Sequence, residues 1–286
     1  MGKRLIVHSG GLDGWCSAAI AALDARDKGL SAGLLELAPG ESFPWEALAG
    51  FVPDQDELWL LDLSPAPVAM GALRAKAGFH LVWMDHSPTA IRDLAAHSDL
   101  AGARSAERAS CQLAWSFCHP GTSFPWAVRA IADRSSGKFR LGDDTHHFCA
   151  YLSALSPDPR ERLESFWLPE LAGFDRPEPK LSLGKTFHAA RMRDLRRIAL
   201  SLGQPEEGPD FSILTVNFPG SPEMGRTARD LGFDVCHCFV EKLFDGRPAR
   251  VHRLYSDQVD VSGIARKNGG GGRKNAAGWT ERGPAR

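Results

Sequence analysis

Side chains that commonly bind metal ions stand directly after three short apolar runs of the sequence. His8 follows "RLIV", Asp62 follows "LWLL", and Asp85 and His86 follow "LVWM", while Asp13 stands in the segment after His8. Two carboxylates about 4 Å apart repel each other by roughly 4 kcal/mol at an effective dielectric constant near 20, so their convergence requires a cation. Mixed carboxylate and imidazole ligands suit manganese or magnesium better than structural zinc. These residues therefore predict a metal centre with one or two divalent ions.

The three runs, together with "GLLELA", have the length and apolar character of buried strands. Segments with helical periodicity separate them, and this alternation predicts an α/β fold with a parallel sheet covered by helices on both faces. Ligands of open parallel sheets bind at the carboxyl ends of the strands. The predicted fold thus brings the candidate ligands to one edge of the sheet.

Residues 62–65 and 85–88 share the pattern Asp-x-Ser-Pro. Serine is a favoured helix N-cap and proline a favoured first helical residue, so the pattern predicts that Ser64 and Ser87 cap two helices. The aspartates stand just before these caps and are free to face the sheet edge. For either aspartate taken alone, a turn residue is the alternative to a metal ligand.

The glycines between His8 and Asp13 allow a second interpretation. "SGGLDG" is similar to the phosphate-binding loop of the PP-loop ATP pyrophosphatases, but that motif normally ends in serine, and Gly14 takes its place. The remaining residues that such an enzyme needs are not recognisable. We therefore interpret the glycines as a tight turn between two ligands, with the pyrophosphatase as a remote alternative.

Composition narrows the class of protein. Of 286 residues, 43% are hydrophobic and 24% charged, which is typical of a folded soluble chain, and the net charge of −1 provides no global attraction for long nucleic acids. No apolar run is long enough to span a membrane or to serve as a signal peptide. Six cysteines without a C-x-x-C pair predict free thiols in a reducing compartment, namely the cytoplasm.

The pattern of the sequence changes near residue 205. A long helical segment ends there and is followed by "QPEEGPDF", after which strand-like runs and a hairpin signal at residues 245–246 appear. We predict a first domain over 1–200, a linker over 201–210, and a smaller α/β domain over 211–280.

The order of the candidate ligands resembles that of the DHH phosphoesterase family. His8, Asp13-Gly14, Asp62 and Asp85-His86 follow one another as in the family, and residues 260–279, "DVSGIARKNGGGGRKNAAGW", resemble the glycine-rich segment of the DHHA1 domain. The two matches together cover nearly the whole chain. The resemblance implies a parallel-sheet DHH domain, a smaller α/β DHHA1 domain, and manganese-dependent hydrolysis of a phosphoester in a small nucleotide or short oligonucleotide.

The resemblance also implies roles for individual residues. Asp133 in "IADRSSGKF" supplies the carboxylate of a further motif, with Ser135 at that position in an alternative alignment. The implied metal ligands are His8, Asp13, Asp62, Asp85, His86 and Asp133, of which Asp62, Asp85 and His86 are also catalytic. The implied substrate-binding residues are Gly270, Gly271, Gly272, Arg273 and Asn275. The implied cofactor is Mn²⁺, with Mg²⁺ or Co²⁺ as alternatives.

Three departures from the family pattern keep a second function open. Ser87 stands where the family has its second histidine, Gly11 where many relatives have aspartate, and Arg273 where a histidine is usual. Loss of a general acid or base costs typically 10²–10⁴ in rate, so a catalytically degenerate nucleotide-binding module is the alternative to an enzyme. The expected partners are a nucleotide or short oligonucleotide and no membrane, and a homodimer is one option for the oligomeric state.

Overall fold

A computed structural model describes residues 2–38, 41–155, 158–208, 210–244 and 247–282 of the chain. The described residues form two compact units. The first contains the chain up to His188, apart from residues 41–42, and the second contains those two residues and the chain from Ala189 onward.

A four-stranded parallel sheet forms the centre of the first unit. Its strands, in the spatial order β2-β1-β3-β4, are β1 (Lys3–Ser9), β2 (Ser31–Leu37), β3 (Glu57–Leu61) and β4 (Leu81–Met84). The predicted parallel sheet is therefore confirmed.

Among the described residues, nine α-helices begin in this unit, and the last of them continues into the second. They are α1 (Leu12–Asp27), α2 (Pro67–Ala77), α3 (Pro88–Asp93), α4 (Ser110–Cys118), α5 (Trp126–Ser136), α6 (Asp143–Ala154), α7 (Pro159–Arg162), α8 (Leu168–Ala172) and α9 (Glu178–Leu202). Within the described ranges, every helix is too short or too polar to cross a membrane.

The sheet is apolar on both faces, as the continuous hydrophobic runs predicted. Ile6 and Met84 pack into one cluster with apolar side chains of α1, α4, α5 and α6. Their strand neighbours Val7 and Trp83 pack into another cluster that includes Met70 of α2. Because successive side chains of a strand alternate between faces, helices cover both sides of the sheet and leave its carboxyl edge for polar groups.

The second unit is built on a mixed six-stranded sheet. Its strands, in the order β5-β6-β7-β8-β10-β9, are β5 (Gln204–Glu207), β6 (Ser212–Asn217), β7 (Val235–Phe244), β8 (Arg247–Tyr255), β9 (Gly271–Arg273) and β10 (Ala276–Arg282). Of the strand pairs in this sheet, β6 and β7 run parallel and the others antiparallel. Its further helices are α10 (Pro222–Asp230) and α11 (Val261–Lys267).

Two features of this unit bear on the predicted domain boundaries. Strand β5 falls within the predicted linker 201–210, and the contacts divide the chain inside α9. The predicted turn at 245–246 lies outside the described residues, and the flanking strands β7 and β8 pair antiparallel. The domain limits at 200 and 211 stay predictions.

The structure confirms the predicted free thiols. All six cysteines are free, and five of them are buried. Cys236 and Cys238 share the α9–α10 face of the second sheet, while Val235 lies on the α11 face. The side chains of "CHC", residues 236–238, thus alternate between the two faces of strand β7.

Candidate metal centre

Three of the predicted ligands meet at the carboxyl edge of the parallel sheet. Asp62 directly follows β3, His86 follows β4 and Asp13 lies in the first turn of α1. One ligand atom from each residue lies within 4.8 Å of the other two. Among the described residues, this is the one group of three or more His, Cys, Asp or Glu side chains with that property.

The imidazole of His86 lies between the two carboxylates. Its Nε2 atom is 3.1 Å from Asp62 Oδ1 and 3.7 Å from Asp13 Oδ2. All three side chains are largely shielded from solvent, with 10–15% of each side chain exposed. Such a group is accessible to a small ion and is little screened by water.

The backbone of each turn fixes these positions. Asp62 adopts φ 54°, in the left-handed region, and its N–H donates to the Met84 carbonyl at 3.0 Å. Aspartate is among the few residues that tolerate this conformation. At the start of α1, a Cβ on Gly14 would lie 2.1 Å from the Ser9 carbonyl oxygen. Only glycine therefore lets α1 begin close enough to β1 to place Asp13 at the sheet edge.

Serine hydroxyls complete the surroundings of both carboxylates. Ser9 Oγ donates to Asp62 Oδ2 at 2.5 Å and Ser110 Oγ donates to Asp62 Oδ1 at 2.9 Å. Ser135 Oγ donates to Asp13 Oδ2 at 2.7 Å. The sequence indicates Ser135 only through the alternative alignment, and it carries no signal for Ser9 or Ser110.

The amino end of α4 also faces Asp13. The backbone N–H of Cys111 donates to Asp13 Oδ1 at 2.8 Å and that of Ser110 to Oδ2 at 3.3 Å. A carboxylate at this end satisfies helix N–H groups that have no partner within the helix. The segment "ASCQ" carries no acidic cap of its own, and this is the one signal by which sequence reasoning could have found the pairing.

Asp62 is held in its ionised form. Burial alone would raise the pKa of this carboxyl, but the hydrogen bond and charge of His86 and the hydroxyls of Ser9 and Ser110 outweigh it, so the pKa of Asp62 lies below its ordinary value. An ionised carboxylate with a nearby imidazole fits a hard or borderline divalent cation. The two carboxylates and the imidazole of the three-residue group are thus chemically suited to hold a divalent metal ion.

Asp85 lies beside this group but is turned toward its own loop. Its Oδ1 accepts the backbone N–H of His86 at 2.5 Å and that of Ser87 at 2.9 Å, and Oδ2 accepts the Ser64 hydroxyl. Burial, and then the charge of Asp62, raise the pKa of the Asp85 carboxyl. Asp85 therefore fixes the backbone that carries His86 instead of pointing its carboxylate at the three-residue group.

The two predicted serine caps have different outcomes. Ser87 Oγ accepts the Ala90 N–H at 3.3 Å and caps α3, which confirms the prediction. The prediction for Ser64 is wrong, because α2 begins only at Pro67. The Ser64 hydroxyl instead donates to Asp85 and accepts the indole N–H of Trp83 at 3.0 Å.

His8 is fully buried and lies outside the three-residue group. Its Nδ1 is 2.9 Å from the Ser9 carbonyl and must donate to it, which leaves the Nε2 lone pair buried with no hydrogen-bond partner among the described residues. Burial lowers the pKa of His8, and the charged groups that affect it are Glu36, Asp158 and Arg160. His8 is thus a neutral imidazole with one unused lone pair.

Asp133 is engaged elsewhere. Its carboxylate accepts the backbone N–H of Arg140 at 2.8 Å, the N–H of Leu141 at 2.9 Å and the hydroxyl of Thr145 at 2.5 Å. These bonds join the end of α5 to the start of α6. The expected single cluster of six ligands is therefore not what the structure shows: Asp13, Asp62 and His86 come together, Asp85 supports them, and His8 and Asp133 stand apart.

In the second unit, the predicted phosphate-binding residues lie on and beside strand β9, which pairs with β10. A Cβ on Gly270 would lie 2.1 Å from the Gly278 carbonyl oxygen and 2.5 Å from the Trp279 side chain, so packing already requires glycine there. Arg273 is half-buried, and the Asn275 carbonyl accepts the Ser256 N–H at 3.1 Å. A phosphate-binding role for these residues stays a prediction.

The fold of this chain is similar to that of proteins of known structure. The DHH domain of a member of the s1p family of ribosomal proteins matches with a TM-score of 0.60 at 13% identity, over 98% of this chain and 82% of that one. The chain therefore has the fold of a DHH-domain protein, which confirms the resemblance and the α/β class.

Two further solved structures are similar at a lower level. RecJ from Thermus thermophilus in complex with Mn²⁺ gives a TM-score of 0.47 at 15% identity, over 98% of this chain and 50% of that one. A pGpG-specific phosphodiesterase, PggH, from Vibrio cholerae gives 0.46 at 12% identity, over 98% and 93%. No family model and no curated protein matches the sequence.

Proposed function

We propose that the protein is a divalent-cation-dependent phosphoesterase that acts on a small nucleotide or a short oligonucleotide. The observation that carries the proposal is the convergence of Asp13, Asp62 and His86 within 4.8 Å at the carboxyl edge of the sheet. Ligand sites of open α/β sheets lie at this edge. The DHH-domain fold supports the same conclusion.

In this proposal, Asp13, Asp62 and His86 hold the cation, with Mn²⁺ as the expected ion and Mg²⁺ or Co²⁺ as alternatives. A divalent ion bound at such a site would lower the pKa of a water molecule in contact with it and would neutralise negative charge on phosphoryl oxygens. The oxygen-rich donor set with one imidazole supports this choice of ions.

The surrounding residues orient these ligands. Hydroxyl groups of Ser9 and Ser110 fix both oxygens of Asp62 at 2.5 and 2.9 Å, so its carboxylate cannot rotate freely. Asp85 holds the backbone N–H of His86 at 2.5 Å. We assign Asp85 a positioning role, because partners that orient a ligand affect metal affinity nearly as strongly as the ligands themselves.

A phosphate of the substrate would be bound by the second unit. The backbone of Gly270, Gly271 and Gly272 and the side chains of Arg273 and Asn275 are the proposed contacts. The guanidinium of Arg273 can donate two parallel hydrogen bonds to phosphate oxygens, which a lysine cannot do. Arg273→Lys should therefore raise KM for the substrate more than it lowers kcat.

The direct test is a substrate panel assayed with each of the three ions. Short single-stranded oligonucleotides, a cyclic dinucleotide and a bisphosphorylated nucleotide are incubated with the wild type and with Asp62→Asn. We expect hydrolysis of at least one substrate by the wild type and a loss of more than about 100-fold in Asp62→Asn. Asp93→Asn, the same change at an exposed carboxylate, is the matched control.

The rival function is a nucleotide-binding module without catalysis. The observation that favours it is the placement of Asp133, because both of its carboxylate oxygens already accept hydrogen bonds at the α5–α6 junction. In that case nucleotides would bind, with no turnover of any substrate in the panel. Equal rates for the wild type and Asp62→Asn would also contradict the enzymatic proposal.

A further inference from the structure

The donor atoms at the sheet edge carry a limited charge. Asp13 and Asp62 contribute two negative charges. The hydroxyls of Ser110 and Ser135 contribute none, and neither does His86, whose imidazole must be neutral in order to bind a cation. One divalent cation balances this set. A second cation in the same place would require further carboxylates, since unbalanced charges at short distance in a shielded site are costly.

The two other predicted carboxylate ligands, Asp85 and Asp133, already accept hydrogen bonds from other groups. Asp85 accepts two backbone N–H groups of its own loop and the Ser64 hydroxyl. Asp133 accepts two backbone N–H groups and the Thr145 hydroxyl. Turning either side chain toward a second ion would leave several buried donors unpaired, and an unpaired buried donor is destabilising.

His8 adds no negative charge to the donor atoms at the sheet edge. Its unused Nε2 is a neutral lone pair, and the carboxylates that act on it are Glu36 and Asp158. Asp158 is paired with Arg160 at 2.5 Å, and Glu36 accepts the Trp15 indole N–H at 2.9 Å. Both carboxylates thus already have a partner of their own, and among the described residues His8 belongs to no group of three such ligand side chains.

The serines, by contrast, lie where a cation could use them. Ser110 Oγ is 2.9 Å from Asp62 Oδ1, and Ser135 Oγ is 2.7 Å from Asp13 Oδ2. These are the same two carboxylate oxygens that face His86 Nε2. A hydroxyl that donates its proton keeps two lone pairs, so both oxygens can act as neutral ligands.

We propose that this centre takes one divalent cation per chain, and that the hydroxyls of Ser110 and Ser135 complete its coordination. This inference rests on the proposed function, and it adds the stoichiometry and two ligands. The two serines place neutral oxygens at positions where carboxylates would add the charge that a second ion needs.

The test is equilibrium dialysis of the chelator-treated full chain against Mn²⁺, with electron paramagnetic resonance to separate free from bound ion. We expect saturation at one Mn²⁺ per chain. Ser110→Ala and Ser135→Ala should each weaken binding by about 3- to 10-fold, in line with the loss of one neutral polar contact of about 1 kcal/mol. Ser136→Ala, the neighbouring serine on α5, should bind as the wild type does.

Circular dichroism of every variant checks that it is folded. Should Ser135→Ala not fold, Ser135→Thr keeps the hydroxyl and is expected to retain wild-type affinity, and Ser110→Ala then tests the ligand role alone. Saturation at two ions would overturn the inference and leave the phosphoesterase proposal standing. Unchanged affinity in the serine variants would overturn the ligand assignment, and no binding at all would overturn the proposed function as well.

Discussion

Residues 62–65 and 85–88 share the pattern Asp-x-Ser-Pro, and the structure uses them in opposite ways. In the 62–65 turn the aspartate has a left-handed backbone, and its carboxylate accepts side-chain donors from other segments of the chain. In the 85–88 turn the aspartate accepts N–H groups of its own loop, and the serine caps a helix. The four letters are the same in both turns, but the neighbouring segments decide which aspartate lies in the Asp13–Asp62–His86 group.

The largest expected difference between the two turns is in metal affinity. Asp62→Asn removes one of the two charges of the centre and should weaken Mn²⁺ binding by more than about 100-fold, above the range for residues that only position a ligand. Asp85→Asn leaves both charges in place and should weaken binding by about 10-fold through the loop that carries His86. Isothermal titration of both variants with Mn²⁺ measures the difference, and equal losses would contradict the distinct roles.

The serines of the two turns should differ in stability. Ser64→Ala leaves the buried Trp83 indole N–H and an Asp85 oxygen without their partner, so we expect a loss of about 1–3 kcal/mol. Ser87→Ala removes an N-cap and should cost about 1 kcal/mol. Urea unfolding measures the free energy of unfolding of both variants, and an unchanged m-value shows that only stability has changed. A greater loss of unfolding free energy in Ser87→Ala would show that the Ser64 hydroxyl does not link the Trp83 indole to the Asp85 carboxylate as described.

The backbone of the two aspartates supplies the smallest effect. Because Asp62 has φ 54°, Asp62→Gly should be more stable than Asp62→Ala by about 1 kcal/mol. Asp85 lacks a positive φ, and there Asp85→Ala should be more stable than Asp85→Gly by about 0.5–1 kcal/mol. Thermal unfolding of the four variants gives both differences. If the Ala variant were the more stable of the two at both positions, this result would argue against the left-handed conformation of Asp62.

The sheet edge is predictable from the sequence because strand periodicity is a local property. The apolar runs before His8, Asp62 and Asp85 predict parallel strands, and parallel strands end at one edge. The contact of the Ser110 hydroxyl with Asp62 is not predictable in this way, because it joins residues 48 positions apart in the chain. The pairing of the Asp133 carboxylate with the backbone N–H groups of residues 140 and 141 is not predictable either, since backbone partners leave no signature in residue types.

The most direct test of the centre is anomalous diffraction at the manganese edge from crystals soaked in Mn²⁺. We expect a single strong peak in contact with Asp13, Asp62 and His86, and no such peak at the Asp85 or Asp133 carboxylates or at His8. A peak at Asp85, Asp133 or His8, or no peak between Asp13, Asp62 and His86, would contradict the proposed metal centre.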